Sequence, residues 1–170
     1  MSARPEARGV QITARPITAK AFAPFGDVIE TDTVPPQMIN EGLCRRFSDL
    51  ARFDQTGGRI AMSLFQAELR EMPYRCNLLE RHPLGSQCFI PMSQAAFLVI
   101  VAPDEGGRPG PASAFLATND VAVNIARNTW HGVLAPISGS GLFAVIDRIG
   151  SGDNLEEHRL EEPVFVITTP

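Results

Sequence analysis

The sequence predicts an all-β barrel or sandwich with one or two short helices. Short strand-like segments dominate the chain, and turns that contain Gly, Pro, Asn or Asp separate most of them. No segment has the periodicity of a long amphipathic helix. With 170 residues, the chain is long enough to bury roughly 70% of its unfolded surface in one core. We therefore expect a single domain over residues 1–170.

The boundaries of the predicted elements follow from the turn residues. Residues 1–8 carry a mixture of Arg, Pro and Glu and are expected to be disordered. A first strand is predicted at 9–17 and a short helix at 18–26, where Thr18 can cap the N-terminus and Gly26 can end the helix. Further strands are predicted at 27–31, 43–50, 59–68, 74–81, 86–92, 95–102, 113–118, 121–127, 130–137, 142–149 and 163–168.

The longest strongly apolar run is AAFLVIVA, residues 95–102. It is too short to span a bilayer, so we expect a buried strand. The segment that follows, 102–113, contains three Gly and three Pro. This segment could mark a domain boundary, but each half of the chain would then have few strands for a core. We therefore expect a surface loop between the two halves of one barrel.

The composition disfavours several classes of partner and compartment. A net charge of −4 gives no basic surplus, so nucleic acids and anionic membranes are not expected as partners. The N-terminus lacks the apolar stretch of a secretion signal. The three cysteines, Cys44, Cys76 and Cys88, form an odd number without CxxC spacing, which favours a reducing compartment. We therefore expect a cytoplasmic protein.

A polar cluster is predicted around the stretch ERHPLGSQ, which interrupts apolar surroundings. Glu80 and His82 are two residues apart and therefore lie on the same face of a strand. The PLG turn reverses the chain, and Gln87 begins the next strand. Of the other two histidines, His131 also lies next to a turn, whereas His158 lies in an acidic segment and is expected at the surface.

The arrangement Glu80-x-His82-x4-Gln87, followed at a distance by His131, resembles the metal-binding pattern of the cupin superfamily. The resemblance implies a cupin-type barrel, of the double-stranded β-helix or jelly-roll kind, in which alternate strand residues project into the interior. It also implies a divalent metal held by Glu80, His82, Gln87 and His131. Gln87 stands where cupins have a carboxylate, which is a better ligand for a divalent cation. A hydrogen-bonded polar network without metal is the alternative.

Five blocks of the sequence together resemble the ureidoglycolate lyase family: AFAPFGDVIE, INEGLCRRFSDL, ERHPLGSQCFIPM, RNTWHGVLAP and IDRIGSGDN. They extend from residue 21 to residue 154 and therefore cover nearly the whole chain. The resemblance implies a homodimeric enzyme of allantoin and purine catabolism that splits (S)-ureidoglycolate into glyoxylate and urea. It also implies a divalent metal cofactor, nickel in particular.

The reaction indicates which residue types to expect in the pocket. Breaking the C–N bond of ureidoglycolate requires removal of the hydroxyl proton and protonation of the departing urea, for which His and Glu are suited. We therefore predict Glu80, His82 and His131 as catalytic residues. Side chains able to bind the substrate carboxylate or ureido group are predicted as substrate-binding residues; these are Gln87, Arg46, Arg127, Arg148 and Asn40. Each Arg could instead form a structural ion pair, for example with Asp49 or Asp147.

Two other functions are compatible with the sequence. One is a different metal-dependent cupin enzyme that uses the same pocket, and the other is a non-catalytic cupin that binds a small acid. The low number of histidines disfavours the usual iron site, and no DNA-binding or output segment is recognisable for a sensor. The sequence also does not distinguish a lyase, which releases urea, from an amidohydrolase, which releases ammonia.

Overall fold

The computed structural model describes residues 9–169, so the disorder predicted for residues 1–8 lies outside the described residues. Helical structure in this range is limited to α1, Ala19–Phe22, and one 3-10 turn, Asn40–Gly42. No helix in the described range has the length and apolar character needed to cross a membrane. The predicted all-β class with short helices is confirmed. The strands are β1 (Val10–Pro16), β2 (Gly26–Ile29), β3 (Gln37–Ile39), β4 (Cys44–Arg46), β5 (Arg59–Gln66), β6 (Tyr74–Arg81), β7 (Gln87–Pro91), β8 (Phe97–Ala102), β9 (Ser113–Ala117), β10 (Ala122–Ile125), β11 (Trp130–His131), β12 (Ala135–Pro136), β13 (Leu142–Ile149) and β14 (Glu156–Thr168).

Six of these strands form a closed barrel. Their order is β11-β6-β14-β1-β9-β8, and the ring closes because the short strand β11 pairs with β6 on one side and with β8 on the other. Strand β12 pairs with the beginning of β8. A second sheet of order β2-β10-β7-β13-β5 packs against the barrel, and β3 and β4 form a separate hairpin. This architecture agrees with the predicted cupin-type barrel.

The arrangement produces two apolar cores. Inside the barrel lies the barrel core, which contains side chains such as Leu98, Ile100 and Trp130. Between the barrel and the second sheet lies the inter-sheet core, which contains side chains of both, such as Val101 and Val123. Strand β8 contributes alternate residues to each core, and all six of its residues are buried. Burial on both faces therefore explains why this segment of the sequence is apolar throughout.

The short helix is positioned by a cap at its beginning and a buried aromatic ring at its end. The Thr18 side chain accepts a hydrogen bond from the backbone N–H of Ala21 at 3.1 Å, which confirms the predicted cap. Phe22 ends the helix and is fully buried in the inter-sheet core. Gly26 begins β2 with a φ of +151°, and a Cβ there would lie 1.9 Å from the carbonyl oxygen of Asn124. Only glycine fits this position.

The structure differs from the predicted elements in several places. The predicted helix 18–26 is limited to Ala19–Phe22, Gly26 begins β2 instead of ending the helix, and the predicted strand 43–50 ends at Arg46. Strand β3 lies where no strand is predicted, the predicted strand 130–137 is divided into β11 and β12, and β14 begins at Glu156 rather than at residue 163. The longer β14 changes the environment of His158. This residue is half-buried, and its ring centroid lies 6.1 Å from that of Trp130. His158 is therefore partly buried against Trp130 rather than fully exposed.

Candidate active site

Three polar side chains meet beside the inter-sheet core. Glu80 lies near the end of β6 and His131 lies on β11, and the two are direct cross-strand neighbours; His82 follows β6. One potential ligand atom from each residue lies within 4.8 Å of the other two. The Glu80 carboxylate is 3.9 Å from His82 Nε2, and the two imidazole centroids are 5.2 Å apart. The fold therefore brings together the three residues predicted to be catalytic.

Strand alternation accounts for the positions of two of these residues. On β6, Leu79 points into the barrel core, so the next residue, Glu80, points toward the second sheet. On β11, Trp130 points into the barrel core, and His131 points outward for the same reason. Because β11 pairs with β6, the two outward side chains become neighbours.

The turn after His82 is held by Asn154. The backbone N–H of Leu84 donates to Asn154 Oδ1 at 2.7 Å, and His82 Nδ1 lies 2.7 Å from the Asn154 carbonyl oxygen. Gly85 is required in this turn, because a Cβ there would lie 2.7 Å from the Cβ of Arg148. Asn154 is not among the predicted site residues, although it ends the block IDRIGSGDN. Its contacts fix the orientation of the His82 ring.

Both imidazoles have a free ring nitrogen. His82 Nδ1 donates to the Asn154 carbonyl oxygen at 2.7 Å, and His131 Nδ1 donates to the Gly132 carbonyl oxygen at 3.0 Å. A carbonyl oxygen only accepts, so Nδ1 carries a proton in both residues, and in a neutral imidazole Nε2 then has the lone pair. Both Nε2 atoms are buried and have no hydrogen-bond partner. Histidines that bind metal typically have this combination of a carbonyl acceptor at one nitrogen and a free second nitrogen.

The second sheet contributes two further polar groups. Gln87 on β7 and Asp147 on β13 are cross-strand neighbours, and they alternate in the same way as Phe89 and Val145 of the inter-sheet core. Gln87 Nε2 donates to Asp147 Oδ2 at 3.3 Å. Gln87 Oε1 and Asp147 Oδ1 are buried and have no partner. The sequence predicts Gln87 here but treats Asp147 only as an ion-pair partner; its alternation with Val145 is the pattern that places it.

Burial changes the ionisation of the cluster. The pKa of Glu80 is raised above its usual value, first because burial disfavours the charged carboxylate. His82 opposes this rise, and Glu157, which lies opposite Glu80 on β14, adds to it. The pKa of His131 is lowered to about 4, first by burial and then by the charge of His82, against the effect of the Gly132 carbonyl. His131 is therefore neutral at pH 7.

A cavity of about 360 Å³ opens beside the cluster. Its lining includes Glu80, Gln87, Phe89, Leu134 and Arg70, so carboxylate, amide and guanidinium groups meet an apolar wall. This combination is typical of a small-molecule site. Larger surface hollows of about 610 and 450 Å³ lie elsewhere, and none of Glu80, His82 and His131 lines either of them. Glu80 lines the smaller cavity, whereas neither imidazole does. The smaller cavity is the candidate active site because it adjoins the groups that can transfer protons.

Four predicted substrate-binding residues lie away from this cavity. Arg148 is buried, and its guanidinium donates to three backbone carbonyl oxygens. Arg127 forms an ion pair with Asp54 at 3.3 Å and also donates to a threonine side chain. Arg46 and Asn40 are exposed on the hairpin of β3 and β4. None of the four lines the cavity, and their roles in binding stay predictions.

The similarity to a known family covers almost the whole described chain. Residues 10–167 match the family model for ureidoglycolate lyase. The chain belongs to the ureidoglycolate lyase family. The matched range includes the three clustered residues, Gln87, Asp147 and every strand of the barrel, apart from the last residue of β14. The resemblance carried by the five sequence blocks is therefore confirmed.

Individual relatives in the ureidoglycolate lyase family are similar over nearly their full length. The chain is 51% identical to the ureidoglycolate lyase of Rhodobacter capsulatus over 157 residues, which cover 92% of this chain and 98% of that protein. It is 49% identical to ureidoglycolate lyase 2 of Rhizobium meliloti over 159 residues, with coverages of 92% and 98%. It is 48% identical to the ureidoglycolate lyase of Chelativorans sp. over 155 residues, with coverages of 90% and 94%.

Proposed function

We propose that this protein cleaves (S)-ureidoglycolate into glyoxylate and urea, as a carbon–nitrogen lyase of allantoin and purine catabolism. Relatives that cover more than nine-tenths of this chain carry the name ureidoglycolate lyase. One structural observation carries the proposal: the unpartnered Nε2 atoms of His82 and His131 lie beside the Glu80 carboxylate. The adjoining cavity is of a size that suits a small organic acid.

The reaction needs two proton transfers. The hydroxyl proton of ureidoglycolate leaves as the aldehyde of glyoxylate forms, and a proton is delivered to the departing urea nitrogen; no water is consumed. We assign both transfers to Glu80, His82 and His131 acting together. Burial keeps the His131 imidazole neutral, so its Nε2 lone pair can accept a proton, and burial raises the pKa of Glu80, which favours this carboxyl as the group that delivers one. Groups placed in this way typically contribute about 10²–10⁴ each in rate.

The same residues also fit a divalent metal ion, as an alternative to direct proton transfer, because an Nε2 lone pair that binds a metal cannot also accept a proton. A carboxylate oxygen and two imidazole Nε2 atoms are common metal ligands, and here they lie within 4.8 Å of one another. Glu80, His82 and His131 would hold such a cation, nickel in this proposal, and the ion would supply Lewis-acid polarisation of a substrate oxygen. Gln87 Oε1 is also buried and unpartnered. We propose this oxygen as a further ligand or as the acceptor for a ureido N–H.

Product analysis tests the proposed function. Purified protein given (S)-ureidoglycolate should release urea and glyoxylate in equal amounts, without ammonia. The (R) enantiomer is the control and should be turned over far more slowly. Release of ammonia in place of urea would contradict the lyase reaction, and the absence of any turnover would contradict the assignment of the substrate.

Thermal unfolding tests the metal site. Ni²⁺ at about 100 times its Kd should stabilise the protein by about 2.7 kcal/mol, which corresponds to a rise of roughly 5–10 °C in Tm. His131→Ala lacks one of the proposed ligands and should show little rise at the same Ni²⁺ concentration. His158→Ala, which leaves the cluster intact, is the control. An equal rise in Tm for all three proteins would place the bound metal elsewhere.

We also propose that the protein is a homodimer. Strand β5 is an edge of the second sheet, and its residues Met62 and Leu64 are 68% and 62% exposed. Leu43, in the hairpin of β3 and β4, is 89% exposed. Apolar side chains on an edge strand favour pairing with another chain. Sedimentation should show a species of twice 18.4 kDa, whereas a purely monomeric species at micromolar concentration would contradict the proposal.

A cytoplasmic location is proposed from the cysteines. Cys44, Cys76 and Cys88 are all free thiols, and free thiols persist best in a reducing compartment. Cell fractionation should recover the protein with cytoplasmic markers. Recovery with secreted or membrane fractions would contradict this location.

A further inference from the structure

The candidate cavity needs a cation for the carboxylate of its substrate, and the three arginines predicted from the sequence do not line it. Arg70 does. It lies in the segment between β5 and β6, and its backbone N–H donates to the carbonyl oxygen of Pro136 at 2.7 Å. This bond ties the segment to the barrel at β12. The Arg70 side chain is therefore held at the cavity by a fixed backbone.

The guanidinium of Arg70 has unused hydrogen-bond donors. Its Nη2 reaches the Leu134 carbonyl oxygen only at 3.4 Å, and its Nε is buried without a partner. No carboxylate among residues 9–169 lies within ion-pair distance of it; the arginines in ion pairs there are Arg81 and Arg127. A guanidinium has five N–H donors in a fork that matches a carboxylate. Donors left free in a buried position favour a ligand that satisfies them.

The other arginines described above differ from Arg70 in this respect. Arg148 donates to three carbonyl oxygens, and Arg81 pairs with Asp104 and Glu156. Their guanidinium groups are occupied by the fold itself. Arg70 combines spare donors with a position on the lining of the cavity that also contains Glu80.

From this geometry we infer that Arg70 binds the carboxylate of the substrate and of the product glyoxylate. This inference rests on the proposed function, which supplies a substrate with one carboxylate. Binding at Arg70 places the acid end of the substrate against the guanidinium. The hydroxyl and ureido groups then extend toward Glu80 and the two histidines. Arg70 is a specificity-determining residue in this arrangement, because it selects an acid over a neutral analogue.

Inhibition by glyoxylate and by its neutral amide tests the inference. Arg70→Met should raise the KM for ureidoglycolate and the Ki for glyoxylate by about 10- to 100-fold, the usual effect of losing charged hydrogen bonds. The Ki for glyoxylamide should change less than about twofold, because the amide has no charge for Arg70 to bind. Arg70→Lys keeps the charge without the fork and should fall between Arg70→Met and wild type. Arg75→Met, at an exposed position on β6, is the matched control.

The outcomes separate the inference from the proposed function. If wild type released no urea from ureidoglycolate, the proposed function would fail, whatever the variants did. If wild type were active and Arg70→Met kept a wild-type Ki for glyoxylate, the inference would be overturned. Equal losses for glyoxylate and glyoxylamide would also overturn it, since they would indicate a structural role. Unfolding curves verify that each variant is folded. If Arg70→Met does not fold, Arg70→Lys provides the same comparison of the Ki values for glyoxylate and glyoxylamide.

Discussion

Two polar clusters lie back to back on strands β6 and β11, and they differ in whether their polar atoms have partners. The histidine cluster consists of Glu80, His82 and His131. The arginine cluster consists of Arg81, Trp130, Asp104 and Glu156. Residues that are adjacent in the sequence belong to different clusters, because successive residues of a strand point to opposite faces.

The arginine cluster satisfies its own hydrogen bonds. Arg81 donates to Glu156 at 2.7 Å and to Asp104 at 2.8 Å, and its guanidinium carbon lies 4.5 Å from the centroid of the Trp130 ring. Trp130 Nε1 donates to Asp104 at 2.9 Å. Within residues 9–169, none of these side chains has a buried polar atom without a partner. A network of this kind contributes to stability and leaves no buried polar atom for a ligand to satisfy.

The histidine cluster has the opposite property. His82 and His131 each keep a buried Nε2 without a partner, which costs about 1–3 kcal/mol per atom in stability. Buried polar atoms without partners are uncommon in proteins, and they are expected where a ligand, a metal ion or a reaction uses them. The comparison teaches that pairing, rather than polarity, distinguishes the histidine cluster from the arginine cluster.

The largest expected effect is the loss of activity when an imidazole is removed from the histidine cluster. His82→Ala should lower kcat/KM for ureidoglycolate at least roughly 100-fold, about 2.7 kcal/mol of transition-state stabilisation. The double variant His82→Ala/His131→Ala should lose much less than the product of the two single losses, because the groups act as a unit. Steady-state urea release, with circular dichroism as the folding check, measures both. Folded variants with near-normal turnover would make the cluster a structural network.

Removal of Arg81, the cation at the centre of the arginine cluster, should lower stability and leave activity nearly unchanged. Arg81→Met leaves two carboxylates without their partner and removes the contact with the Trp130 ring. We expect Tm to fall by a few degrees, mainly through the lost contact with the Trp130 ring because the exposed ion pairs contribute little, with kcat/KM within about threefold of wild type. Thermal unfolding and kinetics on the same preparation test this. A large loss of activity at an unchanged Tm would mean that Arg81 belongs to the active site.

A smaller, pH-dependent effect is expected at Asp104. Its pKa in the folded protein lies below the usual value, first because Trp130 donates to it. Desolvation opposes this shift, and Gly107 and Arg81 add to it. A carboxylate with a depressed folded-state pKa stabilises the protein above its unfolded pKa of about 3.9, and this contribution is lost as the pH falls through the folded-state pKa. The Tm difference between wild type and Asp104→Asn should therefore shrink below about pH 4. A difference that stays constant from pH 6 to pH 3 would contradict this.

The smallest effect is expected for His158→Ala. The ring of His158 contacts the arginine cluster only through the edge-to-face arrangement with Trp130. Aromatic pairs of this kind are worth about 0.5–1.5 kcal/mol, so Tm should fall by only a few degrees, with kcat/KM unchanged. Differential scanning calorimetry resolves such a shift. A loss of activity comparable to that of His82→Ala would show that the two clusters are not independent.

The sequence predicted the fold class and the pairing of Glu80 with His82 because both depend on local patterns, whereas His131 was predicted to join them from the resemblance to the cupin pattern. Turn residues divided the chain into short strands, and the spacing of Glu80 and His82 assigned them to one strand face. The first half of β14 was missed because charges dominate EEHRLEE, where only alternate residues such as His158 and Leu160 are half-buried. Strand β3 was missed because it pairs only with the short β4, in a hairpin outside both main sheets.

The sequence did not indicate which side chains complete the cavity, because this depends on contacts between distant segments. Arg127 and Arg148 lie in family-like blocks, yet the fold directs their guanidinium groups to residues 54–57 and 151. Arg70 lies between two strands, where no alternation predicts its direction, and only the packing of that segment against β12 brings it to the cavity. Asp147 follows a clear alternation on β13, but its place in the site depends on its hydrogen bond with Gln87 in the neighbouring strand.

The most direct test of the account compares two adjacent residues on β11. His131 belongs to the histidine cluster and Trp130 to the arginine cluster. The measurement is kcat/KM for urea release by His131→Ala and by Trp130→Phe, each relative to wild type. The account predicts a loss of at least roughly 100-fold for His131→Ala, and a value within about threefold of wild type for Trp130→Phe, whose cost falls on stability. Equal losses for the two variants, or the larger loss for Trp130→Phe, would contradict it.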